Sequence, residues 1–146
     1  MKNVYNIKFK RAYDNVYAED GQRILADRLW PRGIKKDDLK LDDWCKDCCP
    51  SNQLRKDYHA EKLDFKSFAE AYFNELEQHP DALIPLMKAA RKGTVTLISA
   101  VKAFEHSHLP VLKHALLKAL QQEDSEADGD TLSSPVCFGN DFNYWG

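Results

Sequence analysis

Two arginines and an indole crowd the corner Asp27-Arg28-Leu29-Trp30-Pro31-Arg32-Gly33, directly after the apolar run Ile24-Leu25-Ala26. A guanidinium presents a planar fork of N–H donors suited to phosphate or carboxylate, and an indole beside it could stack on a ring or pack against the fork. Arg28, Trp30 and Arg32 are therefore candidate ligand-binding residues. The competing reading is a structural corner, with Trp30 in the core and Asp27 paired with an arginine. A second cluster, Lys102, Glu105, His106 and His108, follows the apolar run 94–100 and precedes a helix. Imidazoles titrate near neutral pH and serve as acid, base or ligand. A loop entering a helix also turns backbone N–H groups toward an anion. His106 and His108 are the candidates for proton exchange, Glu105 for orienting an imidazole, and Lys102 for holding charge. Here the plain alternative is a polar loop in which Ser107 or His108 caps the helix.

Ser51, Arg55 and His59 form a third group. Arg55 and His59 are one helical turn apart and share a face that is not the Leu54/Tyr58 stripe, so they could look toward the other two loops; a solvated face competes. Cys45-Lys46-Asp47-Cys48 is a C-x-x-C, followed at once by Cys49. A thioredoxin-like role needs that motif after a strong strand, and none is visible here. Zinc would need two more ligands, and His106 and His108 lack the spacing. Cys49, just upstream of a helix N-terminus, could be a nucleophile; the plain reading is small apolar cysteines filling a core. No metal site and no cofactor are expected. G-x-G-x-x-G, Walker A, G-x-S-x-G and H-E-x-x-H motifs are all missing, which disfavours the usual dinucleotide and serine-hydrolase chemistries.

The elements that must position these residues follow from periodicity and capping. Alternation predicts a first strand over 2–13 and a second over 22–29, the latter central because it leaves little polar alternation. Residues 36–48 read as short helical turns. Ser51 is a plausible N-cap for a helix through His59, and Asp64 caps a helix whose stripe is Phe65, Phe68, Tyr72, Phe73 and Leu76. Another helix runs from Pro80-Asp81 through Leu83, Ile84, Met87 and Ala90 to Gly93. A strand over 94–100 and a helix opened by Pro110 follow, with Leu112, Leu116 and Leu120 inward and His114 on the polar face. The expected fold is α/β, a small Rossmann-like layered domain with a short, mainly parallel sheet flanked by about five helices. In such sheets ligands bind outside the carboxyl ends of the strands, where the first two clusters fall.

All 21 Lys and Arg lie within residues 1–120, and the last 26 residues hold six acids and no base. The body is thus mildly cationic, too weakly to argue alone for non-specific nucleic-acid binding. We expect one domain over 1–121 and an extension over 122–146. The extension is acidic over 123–130, as a linker or disordered segment would be, then aromatic at Phe138, Phe142, Tyr144 and Trp145, which could dock back on the body, on a neighbouring molecule, or not at all. No apolar run approaches the ~20 residues that cross a bilayer, and the start carries no signal-peptide pattern. The expectation is a cytoplasmic protein with no membrane contact.

The corner Asp27–Gly33 motif resembles the bacterial YeaO-like family, a branch of the domain-of-unknown-function 488 group. So do Cys49-Pro50-Ser51 with Leu54-Arg55 and His59, and 95–97 with Glu105-His106-Ser107-His108. The resemblance spans roughly 3–120. It implies a compact α/β domain with a Rossmann-like core and carries no established activity. The family's recurring polar set falls here on Arg28, Trp30, Arg32, Ser51, Arg55, His59, Glu105, His106 and His108. Two departures stand out: Cys45, Cys48 and Cys49 replace apolar or small residues, and Val101-Lys102-Ala103-Phe104 replaces a more acidic stretch. The leading functional expectation is a cationic, His-containing pocket for a phosphate- or nucleotide-like anion, compatible with a small hydrolase or transferase. The alternative is a non-enzymatic module binding nucleic acid or protein.

Overall fold

Strands β1 (Ile7–Arg11), β2 (Gln22–Leu25), β3 (Asp43–Trp44) and β4 (Val95–Ser99) form one sheet in the order β1-β4-β2-β3, all neighbours parallel. The computed structural model describes residues 5–127; the aromatic part of the tail and Cys137 lie outside the described residues. Strand β4 is buried along its whole length, as an inner parallel strand covered on both faces must be. Helices α1 (Lys36–Leu39), α2 (Asn52–His59), α3 (Phe65–Gln78), α4 (Ile84–Lys92) and α5 (Leu109–Ala127) complete a small α/β domain of the expected class.

The helices divide unequally over the sheet. On one face Ile7, Ile24, Val95 and Leu97 pack in a single core with Leu54 of α2, the Phe68/Tyr72/Phe73/Leu76 stripe of α3, Leu86 of α4 and Leu112/Leu116 of α5. On the other face Leu25 and Ile98 meet only Ala12, Leu39 of α1 and the half-buried Trp30, Ile34, Leu41 and Trp44. That second face also holds an ion network. Asp20 accepts from Arg23 at 2.6 Å and from Lys10 at 3.0 Å, while the Arg23 fork also reaches the Leu39 carbonyl at 3.0 and 3.2 Å. Burial works to raise the Asp20 carboxyl pKa, but the bonds from the Tyr17 amide, Lys10 and Arg23 outweigh it and hold it below the usual value.

Capping behaves as expected. The Ser51 side chain accepts from the Leu54 amide and that of Asp64 from Ser67, opening α2 and α3. Pro80 starts a 3-10 turn (Pro80–Leu83), and α4 begins only at Ile84. Four expectations change. The strand predicted over 22–29 stops at Leu25, because after one more ladder bond (Ala26 N to Ile98 O, 2.8 Å) the Asp27 side chain takes over the role of its backbone. The helical turns predicted over 36–48 end at Leu39, and β3 follows. That short strand is pinned by Asp42 N to Arg23 O, Arg23 N to the Asp42 carboxylate and Cys45 N to Leu25 O. Helix α5 continues past the boundary at 121 and into the stretch expected to be a linker. Arg91 holds Glu123 at 2.7 Å and Asp124 at 2.8 Å there, and the Tyr5 hydroxyl donates to Asp124. His114 leaves the polar face expected for it and lies half-buried, 5.4 Å from the Phe73 ring. No helix among the described residues is long and apolar enough to cross a membrane.

Gly21 opens β2 at φ +65, and a Cβ there would collide with the Thr94 carbonyl that accepts from Gln22 N. Gly21→Ala should therefore lower unfolding free energy by about 1–3 kcal/mol. Gly33→Ala, at φ +78 with open space around it, should cost less. Denaturant midpoints of the two variants check the order.

Candidate functional site

The chain leaves β2 toward the second face, through the Trp-Pro corner and α1, whereas it leaves β4 toward the first face and α5. Such a divergence opens a crevice between neighbouring strand ends. Asp27 ties the two exits together: its carboxylate accepts from Ser99 Oγ at 2.7 Å and from Ala100 N at 2.8 Å. Its carbonyl accepts from Trp44 Nε1 at 2.6 Å. His108, entering from the loop before α5, bonds through Nε2 to the Ala26 carbonyl and stands 3.5 Å from the Asp27 carboxylate. Burial lowers the His108 pKa and outweighs the bond to Ala26 and the attraction of Asp27, so the ring is neutral and Nε2 carries the donated hydrogen.

Arg28 is turned into the rim of this crevice, but most of its fork is already committed. Nε donates to the Pro50 carbonyl at 2.5 Å and Nη2 to the Cys49 carbonyl at 3.2 Å. The same turn is held from below by the buried Tyr72 hydroxyl, which donates to the Cys48 carbonyl. Ser51 is pinned rather than presented: its hydroxyl and amide donate to the Glu75 carboxylate at 2.6 and 2.9 Å. Trp30 joins the second face, its Nε1 donating to Ile34 O at 2.7 Å and its ring set edge-on to Trp44 at 5.4 Å. The arginine and the indole therefore do not share a strand face, because the strand has already ended.

Above the rim lies a cavity of about 510 Å³ into which the three sequence clusters converge. Arg28, Trp30 and Arg32 come from the first cluster, Arg55 and His59 from α2, and His106 and His108 from the last loop. Ser51, Lys102 and Glu105 do not line it. The sole carboxylate among the described lining residues is Asp27, already occupied by Ser99, Ala100 and His108. Arg32 is exposed, Arg55 is half-buried and His59 and His106 are exposed, so these four are the accessible cationic and imidazole groups. An apolar floor completes the site: Tyr58 stacks on Phe68 with centroids 4.2 Å apart, and its hydroxyl donates to His106 O at 2.8 Å. Sequence reasoning placed Tyr58 in the core stripe and did not anticipate its role as floor, nor that of Tyr13, whose hydroxyl fastens the mouth to Arg32 O at 3.2 Å. The i, i+3 relation of Tyr58 to Arg55 was the available signal. Among the described residues no three His, Cys, Asp or Glu side chains are grouped to hold a metal ion.

Residues 6–139 match the protein family described as the inactive DUF488-N3 subclade. The chain is 48% identical over 107 residues to the uncharacterised protein YeaO of Escherichia coli K12, an alignment covering 73% of this chain and 93% of that protein. It is 40% identical over 110 residues to uncharacterised proteins of Mycobacterium bovis and Mycobacterium tuberculosis, covering 75% of this chain and 92% of each. No solved structure matches the chain.

Two predictions separate the holding residues from the free ones. Arg28→Ala should destabilise the fold by about 1.5–3 kcal/mol, the range for hydrogen bonds from a charged donor, whereas Arg32→Ala should stay within about 0.5 kcal/mol; urea titrations read both. A neutral His108 contributes stability that is whole above the ordinary histidine value of about 6.5. That stability is lost as pH falls toward the lowered folded value, because the unfolded chain takes up the proton first. His108→Gln should flatten the fall in stability between about pH 7 and pH 5.

Proposed function

We propose, for a chain that belongs to the YeaO-like DUF488 family, a binding role: the cavity at the carboxyl ends of β2 and β4 takes a small, nucleotide-like anion without turning it over. The observation that carries this reading is the arrival of Arg32, Arg55, His59 and His106 from separate segments at one cavity with a single, already occupied carboxylate. A volume of about 510 Å³ lies in the roughly 300–1,000 Å³ range of ligand pockets. Arg55 and Arg32 would grip the phosphate through charge-assisted bonds, and the Tyr58/Phe68 floor would receive the ring.

Binding is favoured over turnover by where the reactive groups are engaged. The Nε2 of His108 is held by Ala26, Arg28 is committed to two carbonyls and Glu105 stands outside the cavity. That leaves His106, among the described residues, with no unoccupied acidic partner on the cavity wall. The description of the matching subclade as inactive points the same way.

Adenosine monophosphate and inorganic phosphate serve as probes in low-salt calorimetry. The expected result is binding of the monophosphate that weakens by about tenfold or more, some 1.4 kcal/mol, in Arg32→Ala/Arg55→Ala. Affinity unchanged in the double variant would overturn the reading, and equal affinity for inorganic phosphate would remove the ring from it.

A further inference from the structure

The turn that holds Arg28 and Tyr72 is built from three cysteines, and two of their sulfurs meet at one carbonyl while that of Cys45 donates to the Ala82 carbonyl at 3.7 Å. Cys48 Sγ donates to the Cys45 carbonyl at 3.0 Å and Cys49 Sγ to the same oxygen at 3.4 Å. Cys48 is completely buried, Cys45 and Cys49 are 6% and 5% exposed, and of the three Cys49 is the one that forms part of the cavity wall. All three are free thiols. The bond from Cys48 lowers the Cys45 pKa, and Cys48 is raised well above the ordinary thiol value, first by its bond with Cys45 and then by that with Cys49. Cys48 thus stands between the other two, with Cys49 as the member that a molecule in the cavity can reach.

From this arrangement we infer that the turn is an oxidation site, in which a hydroperoxide entering the cavity is reduced at Cys49 and the oxidation passes inward to a Cys45–Cys48 disulfide. In the first step the Cys49 sulfur, its proton given up to solvent, attacks the peroxide O–O bond. Sulfenic acid forms on Cys49, and the peroxide leaves as water or alcohol. Next, the Cys48 thiol attacks the Cys49 sulfur, forming an S–S bond and expelling water. Consecutive Cα atoms are only about 3.8 Å apart, short of the roughly 4.4–6.8 Å that a relaxed disulfide spans, so the adjacent pair is strained. Cys45 then attacks Cys48, giving the Cys45–Cys48 disulfide and returning Cys49 to a thiol. One hydroperoxide is consumed, two thiols are oxidised, and two electrons pass to oxygen.

The consequence falls on the crevice. Oxidation removes the Cys48 S–H donor from the Cys45 carbonyl and draws those two side chains together beneath carbonyls 48–50. Those carbonyls anchor Tyr72 and two nitrogens of Arg28. Oxidised protein should therefore unfold at a lower temperature than reduced protein, and a dithiol reductant should restore it. This inference rests on the cavity and the turn, not on which ligand fills the cavity.

The test uses the full chain carrying Cys137→Ser, treated with hydrogen peroxide. Remaining thiols are alkylated after unfolding, and intact mass and peptide mapping are read. The expected product is a Cys45–Cys48 disulfide with Cys49 alone alkylated. Cys49→Ser should slow its formation by about tenfold or more, since the sulfur of the cavity wall is gone. In Cys48→Ser the oxidation should halt at Cys49, where a dimedone probe captures the sulfenic acid. Three alkylated thiols after treatment, or a disulfide formed equally fast in Cys49→Ser, would overturn the inference. Should either variant fail to fold, dimedone capture on the chain with all three cysteines of the turn intact decides the same point: label on Cys49 supports the inward relay, and label on Cys45 or Cys48 instead overturns it. No ligand is present in these measurements, so failure of the anion reading leaves the outcome readable.

Discussion

The Asp27 carboxylate is the contact on which the crevice depends. Parallel strands splay at their ends once the ladder stops, and β2 and β4 send their chains to opposite faces of the sheet. One side chain bridges that divergence by accepting from both the hydroxyl of Ser99 and the amide of Ala100. The same residue fixes Trp44 through its carbonyl and sits beside the His108 ring. Its position also explains why the corner that follows is rigid enough to aim Arg28 sideways. A carboxylate with this many donors is a structural acid.

Positive groups at the site fall into two populations that look identical in composition. Arg28 is a bracket, its nitrogens committed to carbonyl oxygens at the end of a turn. Arg32 and Arg55 are not bracketed in this way: among the described residues Arg32 offers only its carbonyl to Tyr13, and the Arg55 side chain makes one long contact of 3.5 Å to Asn52. The difference lies in what surrounds each fork, because a guanidinium whose N–H groups are taken by carbonyls keeps its charge but has fewer donors left for a ligand. Similar division separates the two loop histidines, one folded into the strand ends and the other at the surface.

Much of the fold was legible because it follows local rules. Ser51 and Asp64 cap helices through side-chain oxygens, and the α3 stripe repeats at helical spacing. Strand β3 was not legible, since two residues carry no period; its place is set by Asp42 and Arg23, nineteen positions apart. The end of β2 was hidden for a related reason. The residues after Leu25 are compatible with a strand, and only the carboxylate of Asp27 meeting Ser99 shows where the ladder stops. Of the site, the rule about strand ends pointed to the two loops after β2 and β4. The commitment of Arg28 was not legible, because its acceptors are backbone atoms that no residue type reveals. Ser51 misled for another reason, its hydroxyl being claimed by the Glu75 carboxylate of a different helix.

The two outer strands differ in what they offer a neighbouring molecule. An open sheet margin is a row of unsatisfied donors and acceptors that invites another chain to add on. In this sheet β1 forms one margin and carries Lys8, Lys10 and Arg11 along five residues, while β3 forms the other and is only two residues long. Charge discourages growth on the first side, and brevity leaves too little template on the second. The short strand that no periodicity betrays thus has a use of its own: a longer β3 would have made a stickier molecule, prone to stack with its copies when crowded.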